Sequence, residues 1–135
     1  AFLWAQMEEA DEITSRRLGI WSRYHEAFNF LDRSGRLKQQ SVPAECAHNA
    51  HMYFIVLDSL SSRTAFINSM QERGILSVFH YVPLHSSPVI AGVTRDKTNL
   101  YHTSDLADRL VRLPLWLNLE MEQERVIDSV ISILT

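Results

Sequence analysis

Apolar side chains recur at helical spacing over the first 31 residues of the chain. At 100° per residue, one broad face collects Leu3, Met7, Ala10, Leu18, Trp21, Tyr24, Phe28 and Leu31. A helix of about 30 residues would be about 45 Å long, because each residue adds about 1.5 Å. A compact domain of this size is only about 37 Å across. We therefore expect this helix to extend beyond its own domain and to be covered by a second domain or another subunit.

Two polar residues, Thr14 and Arg17, interrupt this apolar face. An arginine can lay its methylene stem along a core while its guanidinium stays at the edge, in contact with water. We interpret Arg17 in this way.

Two apolar runs after this helix predict strands. The segment HMYFIVL (51–57) is apolar on both faces and predicts a central strand. The segment ILSVF (75–79) predicts the next strand. Between them we predict a helix that Ser61 or Ser62 caps and Gly74 ends, with an inner face of Phe66, Ile67 and Met70. A strand, a helix and a strand in this order form a common α/β unit.

The segments on either side of this unit are shorter and more polar. Ser34 and Gly35 are expected to end the first helix, and a short strand is possible at 36–40. Residues 86–102 are polar and predict an irregular surface loop.

The last third of the chain predicts helix, strand and helix. Thr103 is expected to cap a short helix whose inward residues are Leu106, Ala107, Leu110 and Val111. The segment RLPLWL (112–117) predicts an edge strand, because Pro114 has no N–H to donate to a ladder. Asn118 is expected to cap the final helix, whose inner face contains Ile127, Val130, Ile131 and Leu134.

Composition narrows the class of protein. The net charge of −3 argues against a nucleic-acid binder. Cys46 is the only cysteine, which is typical of a reducing cytoplasm. No apolar run approaches the roughly 20 residues of a membrane span. The chain starts without a Met and without a leader pattern, and we expect it to be part of a longer protein.

The chain carries potential metal ligands but no complete catalytic motif. Cys46, His48, His51, His80 and His85 could supply nitrogen and sulfur, yet their spacing matches no standard zinc site. The sequence contains neither a G-x-S-x-G nucleophile motif nor a glycine-rich phosphate loop. We therefore predict no metal site and no self-contained active site.

The segment HYVPLH (80–85) follows the second predicted strand and is the strongest candidate for ligand contact. Pro83 favours an extended Val82, so His80 and Val82 are expected to face one way and Tyr81 the other. Open α/β sheets bind ligands at strand ends. The alternative is that the histidines are half-buried and paired with backbone carbonyls. The residues alone leave both interpretations open.

Three segments and the helix before them resemble a known family. NAHMYFIVL, GILSVFHYVPLHSSP and RLVRLPLWLNL, in this order and before a final helix, are similar to the C-terminal domain of the DegT/DnrJ/StrS aminotransferases. The resemblance implies an α/β fold: the small domain of a fold type I PLP enzyme, with a long first helix and helices packed on a small mixed or antiparallel sheet. It implies that residues 1–135 form one C-terminal domain, that 1–31 form the inter-domain helix, and that the large PLP-binding domain is missing.

The same resemblance implies an activity. Its details are similar to members that transfer the amino group of L-glutamate to a dTDP-4-keto-6-deoxyhexose, forming dTDP-4-amino-4,6-dideoxygalactose for enterobacterial common antigen. Such enzymes work as homodimers and use PLP. Together with the composition, the resemblance predicts a cytoplasmic protein without nucleic-acid or membrane partners. The large domain holds the Schiff-base lysine, so the 135-residue chain alone is expected to be inactive and to bind no PLP. Lys38 and Lys97 do not match the family's lysine motif.

The resemblance also implies site residues. The first histidine of the HYVPLH motif lies near the cofactor–substrate adduct in this family, which implies that role for His80. Tyr81 and His85 belong to the same motif and are expected to contact the sugar or shape the pocket. Asn49 and His51 match a second motif, where a substrate contact and a hydrogen bond at the strand end are both open.

Two other functions remain open at this point. One is a sister transaminase of the same family that acts on a different nucleotide sugar. The other is a stand-alone α/β binding or dimerisation module without catalysis.

Overall fold

A computed structural model describes residues 2–88 and 100–135. The helices are α1 (Phe2–Glu8), α2 (Ala10–Arg33), α3 (Leu60–Glu72), α4 (Tyr101–Arg109) and α5 (Gln123–Leu134). The strands are β1 (Lys38–Gln39), β2 (Tyr53–Val56), β3 (Val78–Phe79) and β4 (Leu110–Leu113). Short 3₁₀ turns span Leu84–Ser86 and Leu119–Met121. The α/β class and the small antiparallel sheet agree with the sequence-based expectation.

The four strands form one antiparallel sheet in the order β1-β2-β4-β3. Strand β2 is central, as predicted, and pairs with β4 from Tyr53 opposite Leu113 to Val56 opposite Leu110. Strand β3 pairs with β4 through Phe79 and Val111. The two strands of the predicted strand–helix–strand unit therefore run parallel to each other, with β4 inserted between them.

The prediction that 112–117 forms an edge strand was wrong. The observed strand β4 is Leu110–Leu113 and pairs on both sides, with β2 and with β3. Pro114 lies one residue beyond the end of β4, so its missing N–H interrupts no ladder hydrogen bond. No loop separates α4 from β4, because Arg109 ends the helix and Leu110 begins the strand.

Helix α2 packs its buried face on the sheet and on α5. Tyr24, Phe28 and Tyr53 form an aromatic cluster with ring centroids 5.2–6.2 Å apart. Gln123 of α5 is fully buried, and its Nε2 donates a 2.7 Å hydrogen bond to the carbonyl oxygen of Ile20. This bond satisfies a polar side chain that would otherwise be costly to bury.

Several helix boundaries differ from the predicted ones. The predicted first helix is interrupted at Glu9, and its second part continues to Arg33. Ser59 caps α3, accepting a hydrogen bond from Ser62 N–H, in place of the predicted Ser61 or Ser62. Helix α4 begins at Tyr101, two residues before the predicted cap Thr103, and its N-cap Leu100 makes no side-chain cap bond.

Asn118 does not cap the final helix. It adopts a left-handed conformation with φ of 71° and precedes the 3₁₀ turn at Leu119–Met121, which separates it from α5. Its side-chain oxygen accepts a 2.9 Å hydrogen bond from Arg16 instead. Asparagine tolerates this backbone region better than most residues, which explains its position at the turn.

The N-terminal end of the long helical segment is not covered by the described part of the chain. The first residue with a buried side chain is Ile20, whereas Leu3 and Met7 are 69% and 62% exposed. The apolar stripe predicted over 1–31 is therefore covered only in its second half. The predicted loop 86–102 lies largely outside the described residues. None of the described helices is both long and apolar enough to cross a bilayer.

Candidate functional site

The segment His80–His85 leaves the sheet at the end of β3. Phe79 is the last paired residue, opposite Val111, and the chain then passes alongside α4. A 3₁₀ turn at Leu84–Ser86 folds the segment back, and Ser86 closes it by donating both its N–H and its hydroxyl to the carbonyl oxygen of Pro83.

A cavity of about 430 Å³ lies between this segment and α4. Its lining is mostly apolar and consists of His80, Tyr81, Val82, Pro83, Leu84, Thr103, Leu106, Ala107 and Leu110. Its volume lies in the range of small-molecule pockets, and such pockets combine apolar walls with a few polar groups. The polar groups here are the His80 imidazole, the Tyr81 phenol and the Thr103 hydroxyl.

His80 lines this cavity, and one of its ring nitrogens is buried. The imidazole is half-buried, and its Nδ1 is inaccessible to solvent without a hydrogen-bond partner among the described residues. The His80 and Tyr81 rings lie 4.5 Å apart, and both line the cavity together with Val82. The predicted alternation of His80 and Val82 against Tyr81 is therefore not observed, because strand pairing stops at Phe79 and no longer imposes it.

His85 has a different environment from His80. Its Nε2 lies 3.0 Å from the Ser104 hydroxyl oxygen of α4, and the residue is not part of the cavity lining. The alternative considered from sequence, that the histidines pair with backbone carbonyls, is not observed for these two atoms. His85 instead joins the segment to α4 through a side chain.

Asn49 and His51 lie at the other end of the sheet. They precede Tyr53, which pairs with Leu113, whereas His80 follows Phe79 and leaves beside Leu110. Since β4 runs from Leu110 to Leu113 between these points, the two groups of predicted residues are separated by the length of that strand. The structure brings His80 and Tyr81 together in one cavity, places His85 on the same segment but outside the lining, and leaves Asn49 and His51 at the other end of the sheet.

The turn that carries Asn49 and His51 is held by its own side chains and by Arg17. The Ala50 N–H donates to His48 Nδ1 at 3.3 Å, and the His51 N–H donates to Asn49 Oδ1 at 3.1 Å. Arg17 donates to the carbonyl oxygens of Ala50 and His51. The hydrogen bond at the strand end, one of the two roles open for Asn49, is therefore present, and the guanidinium of Arg17 lies at the edge of the core as predicted.

Two clefts adjoin this turn. One of about 350 Å³ is lined by Asn49, Ala50 and His51 together with Trp21 and His48. A neighbouring cleft of about 460 Å³ shares Trp21 and His48 and extends along α2 to Asp32. Trp21 contacts His48 edge-on at a centroid distance of 4.6 Å, so the tryptophan forms part of the floor below the turn.

The second wall of the His80 cavity was not predicted from the sequence. Thr103, Leu106 and Ala107 of α4 line it, together with Leu110, the first residue of β4. From sequence, Thr103 was expected to cap the helix, and Leu106 and Ala107 to face the core. The prediction that Leu110 and Val111 belong to this helix was wrong, because α4 ends at Arg109 and both residues lie in β4. The three- and four-residue spacing from Thr103 to Leu106 and Ala107 does place these three on one helix face. The face that they share could be predicted, but the segment that it contacts could not.

The described residues do not fit the anchoring of PLP. Lys38 is the one lysine within 2–88 and 100–135; it is exposed, and its ammonium lies 3.5 Å from Asp32 Oδ1. A Schiff-base lysine is usually desolvated and close to its cofactor. Over the same ranges, no three His, Cys, Asp or Glu side chains are arranged to hold a metal ion.

Comparison with known proteins identifies relatives of this fold. Residues 1–131 match the DegT/DnrJ/EryC1/StrS aminotransferase family. The aminotransferase TlmJ from Streptoalloteichus hindustanus is similar, with 27% identity, a TM-score of 0.83, and coverage of 96% of this chain and 34% of TlmJ. DesV from S. venezuelae, solved in complex with a ketimine intermediate, has 24% identity, a TM-score of 0.87, and coverage of 98% and 35%.

A third similar structure is the PMP form of Spr1654 from Streptococcus pneumoniae, named as a candidate sugar aminotransferase. It has 23% identity and a TM-score of 0.85, and the match covers 97% of this chain and 33% of Spr1654. The chain thus spans about a third of the length of the structures that it matches.

Proposed function

Because the chain belongs to the DegT/DnrJ/EryC1/StrS aminotransferase family, we propose that it is the small C-terminal domain of a PLP-dependent sugar-nucleotide aminotransferase. In this proposal residues 1–31 form the inter-domain helix, and a large domain outside the chain holds PLP and the Schiff-base lysine. The family match over residues 1–131 is the observation that carries the proposal.

The reaction that we propose is transfer of the amino group of L-glutamate to a dTDP-4-keto-6-deoxyhexose. Its product would be dTDP-4-amino-4,6-dideoxygalactose, used for cell-surface polysaccharide such as enterobacterial common antigen. The similarity of the segments NAHMYFIVL, GILSVFHYVPLHSSP and RLVRLPLWLNL to enzymes of that specificity supports this choice of sugar.

In this enzyme the cavity beside α4 would form one wall of the active site. Its apolar lining would exclude water from the substrate, while His80 and Tyr81 offer polar contacts to it. The place of His80 in the lining of this cavity, directly after the last paired residue of β3, supports this role. PLP, bound in the large domain, would supply the electron sink for amino-group transfer.

The proposal assigns different kinds of contact to the other predicted residues. His85 would hold the segment in place through Ser104. Asn49 and His51 remain proposed substrate-binding residues, at the other end of the sheet from His80.

The exposed apolar face of the first helices fits a domain partner. Leu3, Met7, Ala10 and Ile13 line a surface cavity with Leu115–Leu117, and we propose that the large domain covers it. We further propose that the full-length enzyme is a cytoplasmic homodimer. The single cysteine, Cys46, supports a reducing compartment.

Isolation of the full-length protein tests this function. We expect a chain about three times longer than this one, with the visible absorption of bound PLP, that converts dTDP-4-keto-6-deoxyhexose and L-glutamate to the amino sugar. Amination of a different nucleotide sugar in a panel would identify a sister enzyme of the family. A native chain of 15.6 kDa without PLP absorption would overturn the proposal in favour of a non-catalytic module.

A further inference from the structure

Ala50 adopts an unusual backbone conformation next to two proposed site residues. Its φ is +48°, in the left-handed region, although it has a side chain and is fully buried. Non-glycine residues rarely adopt this region, because Cβ approaches the backbone too closely. Such conformations persist when the surrounding structure over-determines them, and they cluster at functional sites.

Hydrogen bonds on both sides of Ala50 hold this turn in its conformation. The N–H groups of Ala50 and His51 bond to side chains within the turn, His48 and Asn49. The two carbonyl groups point to α2, where Arg17 Nε donates to Ala50 O at 3.1 Å and Nη2 donates to His51 O at 2.5 Å. Bonds from a charged guanidinium are stronger than the neutral bonds inside the turn.

We infer that Arg17 is a positioning residue, which holds Ala50 in its left-handed conformation and thereby orients Asn49 and His51 for substrate. This inference rests on the proposed function. Asn49 and His51 are exposed, so their side chains can contact a ligand, whereas Arg17 is half-buried and acts through the carbonyl groups of Ala50 and His51. The same inference explains why a charged residue interrupts the apolar face of the long helix.

Glycine at position 50 provides a specific test of this inference. Glycine adopts positive φ without the penalty of a Cβ. If Arg17 compensates for that penalty, replacing Ala50 by glycine should reduce the need for Arg17. A general loss of stability caused by removing Arg17 would not be repaired in this way.

The experiment compares four variants of the full-length enzyme: Arg17→Met, Ala50→Gly, their combination, and Arg16→Met as a control. Arg16 neighbours Arg17 but bonds to Glu120 and Asn118, away from the turn. Hydrogen exchange by mass spectrometry follows the amides of residues 48–52, and steady-state kinetics give kcat and KM for the nucleotide sugar.

We expect Arg17→Met to accelerate exchange in 48–52 by about tenfold or more, the effect of losing a charge-assisted bond, without accelerating it in α5. We also expect a higher KM for the sugar, partial recovery of both values in the Arg17→Met/Ala50→Gly variant, and no change in Arg16→Met. Unchanged exchange in 48–52, or faster exchange with unchanged kinetics, would overturn the inference. An enzyme without any amino-transfer activity would instead overturn the proposed function, and the exchange data would still test whether Arg17 holds the turn.

Discussion

The Nε2 atom of His85 lies 3.0 Å from the hydroxyl oxygen of Ser104. The two residues belong to different elements, because His85 lies in the turn that ends HYVPLH and Ser104 lies in the first turn of α4. Their hydrogen bond joins the two walls of the His80 cavity, although neither residue lines it. The pair therefore fixes the relative position of residues that a substrate would contact.

We predict that His85→Ala and Ser104→Ala weaken substrate binding to similar extents and that their effects are not additive. Each removes the same bond, whose net worth is about 1 kcal/mol, so the double variant should lose little more than either single variant. A double-mutant cycle on KM for the sugar in the full-length enzyme measures this. His102→Ala, an exposed neighbour on α4, is the control that should leave KM unchanged. Fully additive effects would show that the two side chains act separately.

Tyr24 connects α2 to the segment after β4. Its hydroxyl is buried and donates a 3.1 Å hydrogen bond to the carbonyl oxygen of Pro114. We predict that Tyr24→Phe lowers the free energy of unfolding by about 1–2 kcal/mol, because it leaves a buried carbonyl unpaired while keeping the ring. Urea denaturation of the full-length protein measures the change, with the exposed Tyr101→Phe as control. An unchanged free energy of unfolding would mean that water replaces the lost hydroxyl.

Burial also predicts how stability depends on alkaline pH. Desolvation raises the pKa of Tyr24 and of Tyr53 well above the ordinary value of 10.0. The stability linked to these phenols is therefore fully present below pH 10 and is lost as the pH rises toward the raised values, since only the unfolded chain ionises readily. Between pH 8 and about 11, the midpoint temperature of thermal unfolding should decrease less steeply with pH in Tyr24→Phe than in the wild type. Parallel curves would contradict the expectation.

The ion pair of Arg16 and Glu120 predicts a dependence of stability on acidic pH that is smaller than the alkaline effect of the buried tyrosines. The hydrogen bond from Arg16 lowers the pKa of Glu120 below its ordinary value of 4.5. Its contribution to stability is thus complete above about pH 4.5 and is lost as the pH falls through the lowered pKa. We predict that the midpoint temperature of thermal unfolding decreases less steeply toward low pH in Glu120→Gln than in the wild type. High salt should reduce this difference between the two proteins, because the ion pair is exposed. Identical limbs for both proteins would show that the pair adds nothing to stability.

The sequence predicted which segments form helices and strands better than it predicted which strands pair with each other. The β-forming run around Tyr53 and the helical face from Trp21 to Leu31 carry strong local patterns, and both are observed. The central place of β4 has no such pattern. A proline one residue after a strand resembles a proline within an edge strand unless the end of the strand is known.

The same limit applied to the candidate site. The composition of HYVPLH and its place after a strand predict a ligand-contacting segment, and this stays a prediction. Its contact with α4 depends on residues far apart in the chain, and the separation of Asn49 from His80 depends on which end of each strand meets β4. The order and direction of the strands in the sheet decide the contact of HYVPLH with α4 and the separation of Asn49 from His80. A single sequence contains no local signal for strand order or strand direction.

His80 is the residue on which the proposed function depends most directly. We expect His80→Ala in the full-length enzyme to lower kcat/KM for the nucleotide sugar by at least about tenfold, through loss of a buried polar contact to the substrate. The half-reaction with L-glutamate alone should change less, because the sugar does not take part in it.

The most direct test is therefore a single-turnover measurement. The PMP form of the full-length enzyme is mixed with dTDP-4-keto-6-deoxyhexose, and the appearance of PLP absorption is followed in wild type, His80→Ala and the control His102→Ala. We predict slower amino transfer in His80→Ala alone, with thermal unfolding unchanged in all three proteins. Equal rates in all three would remove His80 and its cavity from the active site.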